Sequence, residues 1–365
     1  MASNSLGNTY RLTTFGESHG VAIGGIIDGV PSGIKLDVAK VQAALALRKP
    51  GQSKIVSARN EADQVHFLSG TVNGVTTGAP LGFVIYNRDH RSKDYDHLNG
   101  VFRPSHADQA YHLKYGTVDS SGSGRASARE TANWVVAGAV ADQILVRYCK
   151  MHKLPLIDIV SYVNQVGEVK MDSHPERVTR KQVVASMVRC PDTKASSRMQ
   201  AYIAQLQNNG DSCGGIITTH VYNPIVGLGD PIFEKLHANL SKAMLSINAA
   251  HAFEYGDGFL LSSMTGSQAN DVFGPKGKLP ITNHSGGIQG GISIGAVIKF
   301  AVGFKPPSTI AKEQPALTKQ GKSTLLAAKG RHDPCVVPRA TVVVSSLTAM
   351  VLLDALMMQK GRQLL

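Results

Sequence analysis

Three short polar clusters hold the residues that could do chemistry. Glu17, Ser18 and His19 stand side by side in "FGESHG", between Gly16 and Gly20. His106 lies in "RPSHAD" (Arg103 to Asp108), and Arg331, His332 and Asp333 lie in "GRHDPC" (Gly330 to Cys335). Three adjacent polar side chains cannot all face an apolar core. Glycine admits backbone angles and close approaches that other residues refuse, so the first cluster reads as a turn that presents its side chains. Histidine titrates nearest neutral pH, and two placed histidines suit proton delivery, with an aspartate beside them as base or as the group that orients an imidazole.

A second set is cationic. "GRASARET" puts Arg125, Ser127 and Arg129 at the expected start of a long helix, where free N–H groups and the helix dipole receive anions. Arg48, Lys54 and "KPPST" (Lys305 to Thr309) add cations and hydroxyls near bends. As a set they suit a substrate that carries carboxylates and phosphate. Other motifs fail. "ALTKQGKST" has Ala316 where a P-loop needs glycine, and Lys312, Glu313 and Pro315 where it needs a strand. "GSGRAS" ends on Ser127, not on the third glycine of a dinucleotide fingerprint. The 13 histidines are scattered with no H-E-x-x-H, so no metal site is expected.

These groups need a framework. The spacing predicts strands over 21–28, 80–87, 214–222, 258–263 and 292–300. It predicts helices over 36–48, 181–189, 197–208 and 231–248, and a long apolar helix over 127–150 opened by a Ser127/Glu130 capping box. Residues 88–126 are polar and irregular, as in a functional loop or lid. Ala340 to Met358 approaches the length of a membrane span, but Ser345, Ser346, Thr348 and Asp354 interrupt it. A helix buried in a large core is the better reading. Helices and strands mix without a regular βαβ beat, which implies α+β. No repeat or linker divides the 365 residues.

Composition narrows the partners. Hydrophobic residues make up 42% and charged ones 18%, which supports a sizeable core. The net charge of +12 calls for something negative. Lys and Arg are dispersed and aromatics are only 6%, which favours small anions over nucleic acid. Four cysteines without a C-x-x-C pair fit free thiols in a reducing compartment, and no secretory h-region is evident. The residues alone therefore point to an enzyme of histidine acid–base chemistry on an anionic substrate, without a metal. A flavin-independent phosphatase or phosphotransferase using His19 as nucleophile stays open. So does a nucleic-acid-binding module driven by charge, which would bind any polyanion in a salt-sensitive way.

Taken together, the clusters resemble chorismate synthases. "GESHGVAIGGIIDGVP", "GSGRASARETANWVVAGAV" and "RHDPCVVPRA" are similar to that family's three signatures. "RKPGQSK", "SGTVNGVTTGAP", "RSKDY", "FRPSHAD", "SINAAHAFEYGDGF" and "NHSGGIQGGISIG" match in the same order, from about residue 10 to 355. The resemblance implies one catalytic domain over 1–365, folded as a β-α-β sandwich with long apolar helices between antiparallel sheets. It implies a cytoplasmic homotetramer that binds neither membrane nor nucleic acid. The family reaction is a 1,4-anti elimination of phosphate from 5-enolpyruvylshikimate 3-phosphate to give chorismate, the last step of the shikimate pathway. It requires reduced FMN, with NADPH serving only indirectly to reduce the flavin; this compact chain would rely on an external supply.

Carried onto matching positions, the resemblance makes His19 the proton donor to departing phosphate. His106 becomes the proton source beside the flavin, and Asp333 the group that assists removal of the ring proton. Ser18, Arg48, Lys54, Arg103, Arg129 and Arg331 would hold substrate. Arg125, Ala126, Ser127, Asn248, Ala249, Gly290, Lys305, Pro306, Pro307, Ser308, Thr309 and again Arg331 would contact FMN. No metal is implied. Two positions depart from the family pattern: Lys54 stands where arginine is common, and it cannot make a forked bond. Ser345 stands where an acid is usual, and reads as helix packing or support behind the site.

Overall fold

In a computed structural model of the chain, residues 3–49, 63–88, 100–116, 123–172, 175–277, 279–328 and 333–362 are described. The first sheet starts with β1 (Ser5–Leu6), β2 (Arg11–Gly16) and β3 (Ala22–Asp28). Along β2 exposed and buried residues alternate, so one face is free to pack. After α1 (Val38–Arg48) come β4 (Val65–Phe67), the hairpin of β5 (Thr71–Val72) and β6 (Val75–Thr76), and β7 (Leu81–Tyr86). The sheet order is β1-β2-β3-β7-β4, antiparallel throughout.

Next are β8 (Val101–Phe102), α2 (Asp108–Tyr115), α3 (Thr131–Met151), β9 (Asp158–Val166), β10 (Val169–Lys170), α4 (Arg180–Ala185), α5 (Thr193–Asn208), β11 (Gly215–Tyr222), α6 (Leu236–Leu245) and β12 (Ala250–Tyr255). The chain continues through α7 (Gly266–Ala269), β13 (Ile288–Gln289), β14 (Ile292–Ser293), β15 (Ile298–Phe304), β16 (Gln314–Thr318) and β17 (Ser323–Leu326) to α8 (Val337–Arg362). The second large sheet runs β10-β9-β11-β15-β12, again antiparallel, and a small sheet runs β17-β16-β8.

α3 packs on β2 and β3, α8 packs on β9 and β11, and the two helices pack on each other. The architecture is the expected α+β sandwich, with helices as its middle layer. α8 is long and apolar enough to cross a membrane, yet 78% of its most apolar window is buried inside the protein. A helix that is apolar all round needs cover on every side; α1, α3, α6 and the second sheet supply it. Ser345 supports this packing: its hydroxyl donates to Ser161 Oγ on β9 (2.8 Å), which pairs with Thr219 Oγ1 on β11 (2.9 Å).

Several expectations are corrected. Residues 258–263 form a 3₁₀ helix, not a strand. β12 ends at Tyr255, and Gly256 and Gly258, both at positive φ, turn the chain off the sheet. The strand expected over 292–300 is two strands, β14 and β15, parted at Gly295 (φ +90). The long helix begins at Thr131 after a 3₁₀ turn. Ser127 caps that turn by accepting from the Arg129 N–H, but the Glu130 carboxylate is drawn to Arg125 (2.8 Å) and Asn133 (3.1 Å), so no capping box closes. The helix expected over 231–248 is confined to α6, and that over 181–189 to α4. Within 88–126, β8 and α2 interrupt the expected loop.

Candidate active site

The His19 turn joins β2 to β3. Gly16 is required there by the strands themselves: it has φ +88, and a Cβ would lie 2.2 Å from the Ala22 carbonyl oxygen. At Gly20 a Cβ would meet nothing nearer than 3.6 Å. Ser18, only 1% exposed, places its Oγ 2.9 Å from His19 Nδ1. Asn87, just beyond β7, donates from Nδ2 to the carbonyls of Glu17 (3.0 Å) and Gly20 (2.8 Å). Its Oδ1 accepts from Arg129 Nε at 2.9 Å.

Arg129 leads into a buried charge cluster. Its Nη1 and Arg48 Nη1 (3.2 Å) donate to the two oxygens of Asp63. Arg48, Asp63 and Arg129 are 3%, 2% and 4% exposed. Burial opposes charge on Asp63, but Arg48 and Arg129 outweigh it and hold the carboxyl below its ordinary range. Burial pulls the Arg48 guanidinium down to about 9, with Asp63 opposing. Arg48 also donates from Nε to Thr131 Oγ1 (3.1 Å) and from Nη2 to the Ala128 carbonyl (2.6 Å), so each of its three nitrogens is bound to protein. Arg129 keeps Nη2 buried and without a partner among the described residues. Of these two expected anion clamps, Arg129 has a donor in hand.

The second histidine sits in a network of its own. Arg103 grips Asp108 with two bonds of 2.7 Å, and His106 Nδ1 meets the same carboxylate at 2.6 Å. Burial works against that charge, but the bonds from His106 and Arg103 prevail and hold Asp108 well below the usual carboxylate range. His106 Nε2 lies 3.4 Å from Ser123 Oγ. Lys305 Nζ donates to the Ser105 carbonyl (2.7 Å), and its backbone N–H to Ala249 (2.9 Å). Asn248 Nδ2 donates to Ala126 (2.7 Å), Ser212 holds the Pro307 carbonyl (2.7 Å), and Arg103 reaches Thr309 Oγ1 at 3.5 Å. The expected flavin segments 125–127, 248–249 and 305–309, with Pro306 and Ser308 inside the last, therefore gather around the His106 loop. The Asn248 Oδ1 is buried without a partner among the described residues.

Asp333 enters from the other side. Its Oδ2 accepts from Arg339 Nη1 on α8, and Arg339 Nε donates to the Arg48 carbonyl at 3.1 Å. The Cys213 N–H anchors the adjoining Pro334 carbonyl at 2.9 Å. Arg125 spends its guanidinium on Gly16 O, Glu130, Asn4 Oδ1 and Thr14 Oγ1, at 2.8–3.1 Å, so its side chain braces β2. Gly290, φ +59, lies in the β13–β14 hairpin, and no described bond ties it to the other site residues. Lys54, Arg331 and His332 lie outside the described residues. An open cavity of about 470 Å³ lined by Asp142, Asp158, Arg177 and Arg180 lies elsewhere, its charges paired among themselves.

A family model described as chorismate synthase matches residues 10–357. The chain belongs to the chorismate synthase family. It is 51% identical to the chorismate synthase of Parabacteroides distasonis over 99% of both chains, and 47% identical to that of Christiangramia forsetii over the whole of both. A crystal structure of a chorismate synthase superposes with a TM-score of 0.75 at 27% identity, covering 97% of this chain and 93% of the other. Membership in the chorismate synthase family makes the protein a lyase, as the resemblance implied. The sequence reading missed the residues that hold these clusters: Asp63, Asn87 and Arg339. An aspartate that orients a histidine was expected only in general, and the structure places that role at Asp108, two positions from His106.

Proposed function

We propose that the protein converts 5-enolpyruvylshikimate 3-phosphate into chorismate and phosphate by 1,4-anti elimination, with reduced FMN as cofactor. The observation that supports this most is continuity. A chain of bonds runs from the His19 turn through Asn87, Arg129, Asp63, Arg48 and Arg339 to Asp333. A proton donor, a cationic layer and a carboxylate thus share one frame, which a doubly carboxylated, phosphorylated substrate needs.

The residues fit a flavin. Asn248 donates to the Ala126 carbonyl and the Lys305 N–H to the Ala249 carbonyl, which ties the three segments together, and the Asn248 Oδ1, without a partner among the described residues, offers a buried acceptor. When bound, reduced FMN supplies electron density that eases loss of phosphate from the allylic carbon. His19, steadied at Nδ1 by Ser18, delivers its proton to the departing phosphate from Nε2. His106, oriented at Nδ1 by Asp108, turns its other ring nitrogen, Nε2, toward Ser123 and the cofactor side, where it exchanges the proton. Asp333, oriented by Arg339, assists removal of the ring proton. Arg129, with Lys54 and Arg331, holds the anionic groups; Arg48 and Arg103, each of whose guanidinium nitrogens is bound to protein, serve behind them through Asp63 and Asp108. We further infer a cytoplasmic homotetramer supplied with reduced flavin from outside, NADPH entering only through that supply.

The test is anaerobic. The protein is mixed with 5-enolpyruvylshikimate 3-phosphate and chemically reduced FMN, and chorismate absorbance and free phosphate are followed. The expected result is both products in equal amounts, only with reduced flavin. Phosphate without chorismate, or the same yield with oxidised FMN, would replace this reading with a simple phosphatase.

A further inference from the structure

We propose that Asn87 is a positioning residue that fixes the His19 turn relative to the Arg129 guanidinium, so that one side chain sets the separation of proton donor and anion site. The proposal rests on the reading of His19 as the acid. Asn87 is 7% exposed, and its side chain has no idle group: Nδ2 uses both hydrogens, on Glu17 O and Gly20 O, and Oδ1 accepts from Arg129 Nε. Its backbone N–H adds a bond to Val21 O at 3.0 Å.

The amide can point only one way. Carbonyl oxygens only accept and a guanidinium N–H only donates, so the flipped amide would set acceptor against acceptor and donor against donor. Glu17 and Gly20 are the two ends of the turn that contains Ser18 and His19, and the turn closes on itself through the Gly20 N–H and Glu17 carbonyl at 3.2 Å. One nitrogen therefore holds both ends of the segment that carries the imidazole. At its other end the same side chain meets Arg129, whose Nη1 is anchored on Asp63 and whose Nη2 is the buried donor without a described partner. An anionic group received at that Nη2 would then lie at a distance from His19 that Asn87 dictates. A turn that merely needed stabilising would not need a link to the arginine.

The substitution Asn87→Asp keeps size and shape. It keeps the acceptor for Arg129 but sets a carboxylate oxygen against two carbonyls, so it cuts the brace at the His19 end only. Three readouts are taken on the full-length protein: kcat and KM with reduced FMN, FMN affinity, and the imidazole resonances of histidine-labelled protein, with His19→Ala assigning His19. The expected result is a kcat lower by roughly 10- to 100-fold, as for a reacting group displaced by an ångström or less. KM and FMN affinity should move by less than about threefold, because the Arg129 end of the brace is kept. The His19 resonances should shift while those of His106 stay in place. Unchanged His19 resonances overturn the proposal, whatever happens to turnover; so does a kcat within twofold of the unsubstituted protein. If the unsubstituted protein makes no chorismate, the proposed reaction is what falls. The resonances then still decide whether Asn87 holds His19. Asn87→Ala, which cuts both ends, should shift the His19 resonances as well, and its failure to do so counts equally against the brace.

Discussion

His106 meets Asp108 through Nδ1, and its other ring nitrogen, Nε2, lies 3.4 Å from Ser123 Oγ. Arg103 holds the same carboxylate from the other side, so the carboxylate is fixed before it fixes the ring. Replacing Asp108 by Ala removes the acceptor that orients the imidazole and that Arg103 grips. Turnover should fall on the order of 10²- to 10⁴-fold, the range for loss of a general acid or its tautomer, while FMN still binds; near-normal turnover would take Asp108 and His106 out of the chemistry. Asp63 answers a different measurement. Its folded pKa lies below the ordinary value of about 3.9, so its contribution to stability is complete above that value and is lost as pH falls through the folded one. Asp63→Asn leaves two buried guanidinium groups without their anion, which should cost about 3–5 kcal/mol at pH 7. Urea unfolding at pH 7 and pH 3.5 should show a smaller gap in the variant than in the unsubstituted protein, and equal gaps would mean that Asp63 is not the group that titrates. The reactive types were legible because histidine and aspartate stood out beside glycine and proline. Their holders were not: Asp63 is 66 positions from Arg129 and Asn87 is 42, and each alone reads as one more solvated polar residue.

At the scale of elements, periodicity was a good guide where an element is covered on all sides or on one regular face. α8, β7 and β11 lie where the pattern placed them, because burial alone dictates their composition. It failed where glycine conformation overrides composition. "GFLLSS" has a strand's residues, yet Gly256 and Gly258 turn it away from the sheet and leave Phe259 83% exposed. It also could not show which helices touch. Gly138, in the middle of α3, faces Ser346 of α8, where an added Cβ would lie 2.3 Å from that Cβ, 2.4 Å from its Cα and 2.5 Å from its carbonyl oxygen. Two of those atoms are backbone and cannot rotate away. Gly138→Ala gains about 1 kcal/mol of helix propensity, but overpacking of a fixed interface costs about 1–3 kcal/mol or more. The helices must part, so the variant should be less stable by urea unfolding. A variant as stable as the parent would show that the α3–α8 crossing is looser than its backbone contacts imply.

Across the whole molecule, α8 connects the two ends of the chain to the site between them. Its 26 residues span about 39 Å at 1.5 Å per residue. Near its start Arg339 holds Asp333 and the end of α1. Near its far end Asp354, 7% exposed, accepts the backbone N–H groups of Asn8 (2.9 Å), Thr9 (2.7 Å) and Tyr10 (2.9 Å). Tyr10, fully buried, donates its hydroxyl to the Ala137 carbonyl of α3 (2.7 Å) and leads directly into β2, which ends at the His19 turn. In the sequence, Asp354 is only an interruption of an apolar run; in the fold it is the carboxylate that accepts three consecutive backbone N–H groups. Hydrogen bonds to a charged group contribute about 1.5–3 kcal/mol each and do not simply add. Asp354→Ala should therefore lose about 2–4 kcal/mol by urea unfolding and speed amide exchange at residues 8–10 before anywhere in the second sheet. Asp354→Asn, which keeps an acceptor for some of those bonds, should fall between. Exchange that stays slow at 8–10 in both variants would mean that Tyr10 alone holds the N-terminal segment, and that α8 fixes the site only from the Asp333 end.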